Sequence, residues 1–224
     1  MRQVLIEPLE RITTMSTETP TPSSSPLTAA PPAPYADPAP LGLAGFALTT
    51  LVLSFVNANI IKEGGAILVV LGLASFYGGL AQFIAGVLEW RRGNTFGLMA
   101  FCSYGAFWLS YWWIITHVSA ATGDVHQAVG LYLIGWTIIT AYLTLAAMRT
   151  NLAVLAVLAL LTITFLLLAI GSFQNGTPSP DAMTKVGGWF GIVTAAAAFY
   201  ASAAVVVNAQ HKRTVLPLPT LPGS

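Results

Sequence analysis

Six long apolar runs recur along the chain, each close to the roughly 20 residues that an α-helix needs to cross about 30 Å of hydrocarbon. They predict helices over residues 41–61, 66–90, 96–118, 126–148, 152–173 and 186–208. Gly, Pro, Asn or charged residues mark most of the breaks. The longest loop, residues 174–184, holds two prolines. Loops this short force consecutive helices antiparallel. The expected fold is an all-α membrane protein, a six-transmembrane-helix bundle over residues 36–210, with a short C-terminal tail over 211–224. Residues 1–35 are set apart: after two short charged and apolar patches they become rich in Thr, Pro, Ser and Ala. Such a stretch cannot bury enough apolar surface to offset its ordering entropy, so a disordered N-terminal tail is expected. It lacks the continuous apolar core of a signal peptide, which leaves the first helix as the expected uncleaved signal.

Composition supports the membrane reading. Of 224 residues, 55% are hydrophobic and only 8% charged, about a third of the charged share usual in soluble domains. The net charge of +1 points to no partner, but the placement of the charges is informative. Six spans put both termini on one side, and that side collects Arg2, Arg11, Arg91, Arg92, Arg149, Lys212 and Arg213. The other side keeps Lys62 and Lys185. The Lys/Arg bias therefore predicts both termini cytoplasmic. The single cysteine, Cys102, excludes an intramolecular disulfide. No basic run interleaved with aromatics suggests nucleic acid.

Polar residues inside the spans carry the candidate chemistry, because each needs a partner or a water-filled cavity. On the first helix Phe46, Thr49 or Thr50, Leu53 and Asn57 share one face. The second offers Tyr77 and Gln82, the third Ser103, Tyr104 and Trp108, the fifth Thr162 and Thr164 beside Leu161. A lone Ser or Thr often bonds its own helix backbone; Gln82 and Tyr104 are harder to satisfy that way. Small residues recur at four-residue spacing as Gly187, Gly191 and Ala195, and as Ala74, Gly78 and Gln82. These fit tight helix packing or room in a pore, and spacing does not separate the two. Glu89 stands beside Arg91 and Arg92, where an end-of-helix charge pair is the simplest reading. No acid or base falls near the middle of a span. His117 and His126 are too isolated to form a ligand set, so no metal and no cofactor is expected. No nucleophile–base pair lies at membrane depth, which argues against an enzyme.

The segment Asp37-Pro38-Ala39-Pro40-Leu41-Gly42-Leu43 opens the first helix, with Asp37 as the expected N-cap and Pro38 in the first turn. Together with motifs farther along the chain, it resembles the acetate uptake transporter family, the GPR/FUN/YaaH group. Members carry Asn-Pro-Ala-Pro-Leu-Gly-Leu at this point, and Pro38 to Leu43 match. Further matches are Gly45-Phe46, Thr49-Thr50, Phe76-Tyr77-Gly78-Gly79, Ala81-Gln82, Leu88-Glu89, Gly93-Asn94-Thr95-Phe96-Gly97, Ser103-Tyr104-Gly105, Phe107-Trp108, Ala169-Ile170-Gly171, Gly188-Trp189 and Arg213-Thr214-Val215-Leu216-Pro217. They span nearly the whole membrane region in order. Asp37 departs from the family, standing where members carry asparagine, and Ser54 stands where some members carry asparagine.

The resemblance implies transport of acetate and similar small monocarboxylates, with succinate as a further cargo, in the plasma (inner) membrane. It implies a homohexamer with a separate pathway in each protomer. It places a hydrophobic constriction at Phe46, Tyr104 and Leu161. A small carboxylate shedding its water needs donors, and Thr49, Thr50, Gln82 and Ser103, with the Tyr104 hydroxyl, are the expected polar lining. Carriage linked to a proton and a channel-like anion path both remain open. The alternatives are a channel for ammonia or another small solute, and a membrane sensor or scaffold without a pathway.

Overall fold

The computed structural model describes residues 35–62, 64–118, 124–174 and 180–221. Apart from Tyr35, the N-terminal tail expected over residues 1–35 lies outside the described residues. The chain forms α1 (Ala39–Asn57), α2 (Ala66–Ser75), a π-helical turn (Phe76–Ala81), α3 (Gln82–Arg91), α4 (Thr95–His117), α5 (Val125–Ala147), α6 (Leu152–Gln174) and α7 (Ala182–His211). Because α2, the π turn and α3 run on as one span, six helices among the described residues are long and apolar enough to cross a membrane.

The helix ends follow from local chemistry. Asn94 caps α4 by accepting the Gly97 N–H at 3.1 Å, and Asp181 caps α7 by accepting that of Thr184 at 2.8 Å. Asp37 accepts the Ala39 N–H at 3.0 Å, one position earlier than a strict N-cap, since the flanking residue is Pro38. The predicted first span ran to residue 61, but α1 stops at Asn57. Asn59 adopts a left-handed φ of 59°, and the N–H groups of Ile60 and Ile61 both turn back to the Phe55 carbonyl. Conversely α7 starts at Ala182 rather than 186, because the Asp181 cap lies ahead of the apolar run.

Around the bundle, α7 packs between α1 and α6, α6 between α5 and α7, and α3 against α4. The π turn and α3 close the ring against α1. The small residues of α7 make its close seam: a Cβ on Gly188 would strike the Ala58 backbone, and one on Gly191 would strike Ser54 Oγ. Both are packing positions. Although consecutive, α4 and α5 hardly meet along their backbones, and aromatic side chains fill the seam, with Phe107 stacked on Tyr132 at 5.9 Å and edge-on to Trp136 at 5.2 Å. Past α7 the chain folds back. Asn208 binds the N–H groups of Val215 and Leu216, Tyr200 donates to Pro217 O, and the Leu152 N–H donates to Pro219 O. The described part of the tail therefore lies against the start of α6. Large apolar side chains such as Leu68, Phe76, Leu131 and Leu145 stand exposed on the exterior, where a bilayer is the compatible solvent.

Candidate functional site

The site begins where α1 crosses the π turn. A Cβ on Gly45 would lie 2.5 Å from the Tyr77 carbonyl, and one on Gly78 would lie 2.5 Å from Thr49 Oγ1. Glycine at both positions lets the two backbones touch. The π turn takes in one residue more than an α turn, which rotates the residues after it by about 100° relative to an uninterrupted helix. Gln82, Ala85, Gly86 and Glu89 then form the buried face of α3.

That face, with α1, α4 and the start of α6, encloses a cavity of about 180 Å³ at the end of the bundle where α1 begins. Phe46, Gln82, Tyr104 and Leu161 all line it, as do Ala39 and Leu43 of the helix-start segment. A second cavity of about 420 Å³ opens at the opposite end, lined by Leu53, Asn57, Phe107, His126, Leu168 and Asp181 among others. Along α1 the lining passes from Phe46 to Leu53, along α4 from Tyr104 to Phe107, and along α6 from Leu161 to Leu168. The two cavities are therefore stacked along the bundle, with a barrier between them.

The side chains between the cavities are closely packed and mostly aromatic. Phe46, Tyr104 and Leu161 are 4%, 3% and 3% exposed, too little for a continuous water path. The Phe46 and Tyr104 rings lie 5.8 Å apart, and Tyr104 lies 6.3 Å from Trp136. Below them Phe107 packs edge-on against Trp136 at 5.2 Å and Phe165 at 5.1 Å. The Tyr104 hydroxyl donates to Thr140 Oγ1 at 3.0 Å, and Thr140 donates to the Trp136 carbonyl at 2.7 Å. Thr140, Trp136 and Phe165 did not emerge from the sequence pattern, and only the apolar runs containing them could have hinted at it.

The other candidates fall elsewhere. Thr49 is fully buried and donates to the Gly45 carbonyl at 2.8 Å. Thr50 follows Phe46 by one turn on the same face, and its buried Oγ1 has no hydrogen-bond partner; Gln82 Oε1 is likewise unpartnered. Ser103 bonds Met99 Sδ at 3.6 Å and is not among the lining residues of either cavity. In the helix-start segment, Pro38 is buried, Leu41 is exposed, Pro40 accepts from Ser202 Oγ at 2.8 Å, and Gly42 makes room for the Phe101 ring.

The expected pairing of Glu89 with its arginine neighbours is replaced by another. Arg92 forms its ion pair with Asp37, because the π turn and the α3–α4 corner bring the end of α3 beside the start of α1. Glu89 is fully buried and lines the first cavity. Its Oε2 accepts from Asn94 Nδ2 at 2.9 Å, and its Oε1 has no partner.

Comparison with known proteins agrees with this architecture. The chain is 38% identical to the succinate-acetate/proton symporter SatP of Escherichia coli, over 82% of this chain and 95% of the relative. It is 37% identical to acetate permease A of Emericella nidulans, over 85% and 68%. It is 42% identical to ammonia transport outward protein 2 of Saccharomyces cerevisiae, over 83% and 66%. A solved structure described as the bacterial acetate channel SatP superposes with a TM-score of 0.73 at 37% identity, covering 82% of this chain and 99% of that one. The family match runs over residues 18–223, which takes in all six spans and both cavities, and the chain belongs to the GPR1/FUN34/yaaH family.

Proposed function

We propose that this membrane transporter passes acetate and related small monocarboxylates, with succinate as a further cargo. The observation that carries the reading is the pair of stacked cavities, with Phe46, Tyr104 and Leu161 at the inner end of the first. In this reading those three residues restrict passage by size and by dewetting. The unpartnered Thr50 hydroxyl can donate to a carboxyl group that has shed its water, and the unpartnered Gln82 Oε1 can accept from that group when it is protonated. The relatives named for acetate and succinate support the cargo. A solute this small needs no large rearrangement, since each cavity already opens at its own end of the bundle.

The Arg91, Arg92, Arg149, Lys212 and Arg213 end of the bundle faces the cytoplasm by the charge bias, so the first cavity opens inward. The plasma (inner) membrane is the proposed location and a homohexamer the proposed assembly, each protomer with its own pathway. Native mass spectrometry from detergent tests the assembly.

Purified protein in liposomes should take up labelled acetate above protein-free vesicles, and Gln82→Ala and Tyr104→Ala should each change the rate. Absence of uptake by the parent refutes acetate transport. Unaltered rates in both variants refute the lining. The yeast relative named for ammonia transport favours one second reading, a path for ammonia. Vesicles that pass ammonia but not acetate would establish it in place of the first.

A further inference from the structure

Glu89 is a buried acid that the transport reading leaves without a role. It is 0% exposed, lines the first cavity, and has one carboxyl oxygen bonded and one orphaned. Its seat is built. Asn94 presents its amide N–H to Glu89 Oε2 at 2.9 Å, and the orientation of that amide is fixed because its oxygen accepts the Gly97 N–H at 3.1 Å. A Cβ at Gly97 would stand 2.7 Å from Glu89 Cδ, so the glycine leaves the space that the carboxyl fills. The titratable groups around it are few. Asp37 and Arg92, before α1 and at the end of α3, are bound to each other, and their opposite charges act on Glu89 in opposite senses. Tyr104 of α4 lines the same cavity, with its hydroxyl committed to Thr140. Thr150 and Asn151, at the start of α6, are neutral.

A buried carboxyl with one oxygen unpaired is a poor anion and a good proton holder, because protonation turns the orphaned acceptor into a hydroxyl donor. The barrier beyond it has the matching property. Phe46 and Leu161 offer no donor and the Tyr104 hydroxyl already donates to Thr140, so at these three residues an ionised carboxylate would find no donor. A neutral acid crosses far more easily.

Resting on the acetate reading, we propose that Glu89 is the proton-exchanging residue of the pathway. The protonated carboxyl of Glu89 gives its proton to the carboxylate of a substrate in the first cavity. The Glu89 O–H bond breaks, an O–H bond forms on the substrate, and Glu89 becomes the anion. The neutral acid passes the barrier and Glu89 regains a proton from water at the cavity mouth. In the opposite direction the steps reverse. Asn94 is the positioning residue, holding Oε2 so that Oε1 carries the exchange.

Glu89→Gln keeps the size of the side chain and its acceptor for Asn94 but cannot give up a proton. In proteoliposomes with an imposed pH gradient, its accumulation of labelled acetate should fall by more than about tenfold. Exchange of labelled for unlabelled acetate at equal pH passes each molecule through the same proton transfers at Glu89, so it should fall by a similar factor. Accumulation equal to the parent's overturns the proposal, and so does exchange that keeps the parent's rate; elution as the parent does shows that a loss is not one of folding. Infrared difference spectra of the parent supply the second measurement, independent of the variant's folding. Acetate should perturb a protonated-carboxyl band, and its absence overturns the proposal. A parent that takes up no acetate at all refutes the acetate reading instead, so the two failures are distinguishable.

Discussion

Tyr104→Phe isolates one bond in the barrier. The variant keeps the ring, and with it the contacts to Phe46 at 5.8 Å and Trp136 at 6.3 Å. It removes only the hydroxyl that donates to Thr140 Oγ1 at 3.0 Å. Thr140 keeps its own bond to the Trp136 carbonyl, so no donor is orphaned and the loss is that of one neutral hydrogen bond, about 0.5–1.5 kcal/mol. If that bond ties the ring across the passage, the closed arrangement is weakened by this amount and the open population rises about 2- to 12-fold. The initial rate of labelled acetate uptake into liposomes, at saturating acetate, should rise within that range. Thr140→Val does more harm to the closed arrangement, because it leaves the Tyr104 hydroxyl buried without an acceptor at a cost of about 1–3 kcal/mol. Its rate should exceed that of Tyr104→Phe. The double variant should return toward Tyr104→Phe alone, since the orphaned hydroxyl is then gone, and this non-additivity identifies the pair as one latch. A tenfold fall in uptake for Tyr104→Phe would refute the reasoning and make the hydroxyl a group that the substrate itself requires.

Two further variants bear on the same end of the bundle. Gly97→Ala places a Cβ 2.7 Å from both Glu89 Cδ and Asn94 Nδ2 and should cost about 1–3 kcal/mol of stability. A lowered Tm and weakened acetate accumulation together check it, and a parent-like Tm refutes the packing. Asp37→Asn restores the asparagine of the resembled family, keeps an acceptor for the Ala39 N–H, and removes the ion pair to Arg92. That pair is partly exposed, so its loss should cost less than about 1 kcal/mol and leave uptake within roughly twofold. A collapse of uptake would show that the charge itself is required.

The helices were legible because hydropathy over a window of span length depends on composition and not on contacts. Their ends were legible where a cap or a breaker stood at the edge of an apolar run, as with Asn94 before α4 and Gly65 before α2. Ile60 and Ile61 kept the first run apolar, but Asn59 had already turned the backbone. Asp181 lies outside the last run, so the run alone started α7 too late. The π turn left no mark in the pattern at all. Ala74, Gly78 and Gln82 read as one α-helical stripe, and each is buried, yet the turn between them changes which residues of α3 face inward.

The same limit governs the charges. From sequence, Glu89 and its neighbouring arginines look like partners because they are near in the chain, and proximity along a helix end is the only pairing rule available there. The fold supplies a partner from elsewhere: Asp37 takes Arg92, and Asn94, needed in any case to cap α4, turns its amide to Glu89. Once the arginine is claimed, the acid is left in the cavity wall with one oxygen free. That remainder changes how the uncharged middle of the spans is read. Absence of a mid-membrane acid argues against a proton relay only if the proton must cross on the protein. A carboxyl at the cavity that loads its proton onto the substrate needs no relay beyond it, and a barrier built from Phe46, Leu161 and a Tyr104 hydroxyl already bonded to Thr140 suits the neutral acid that results.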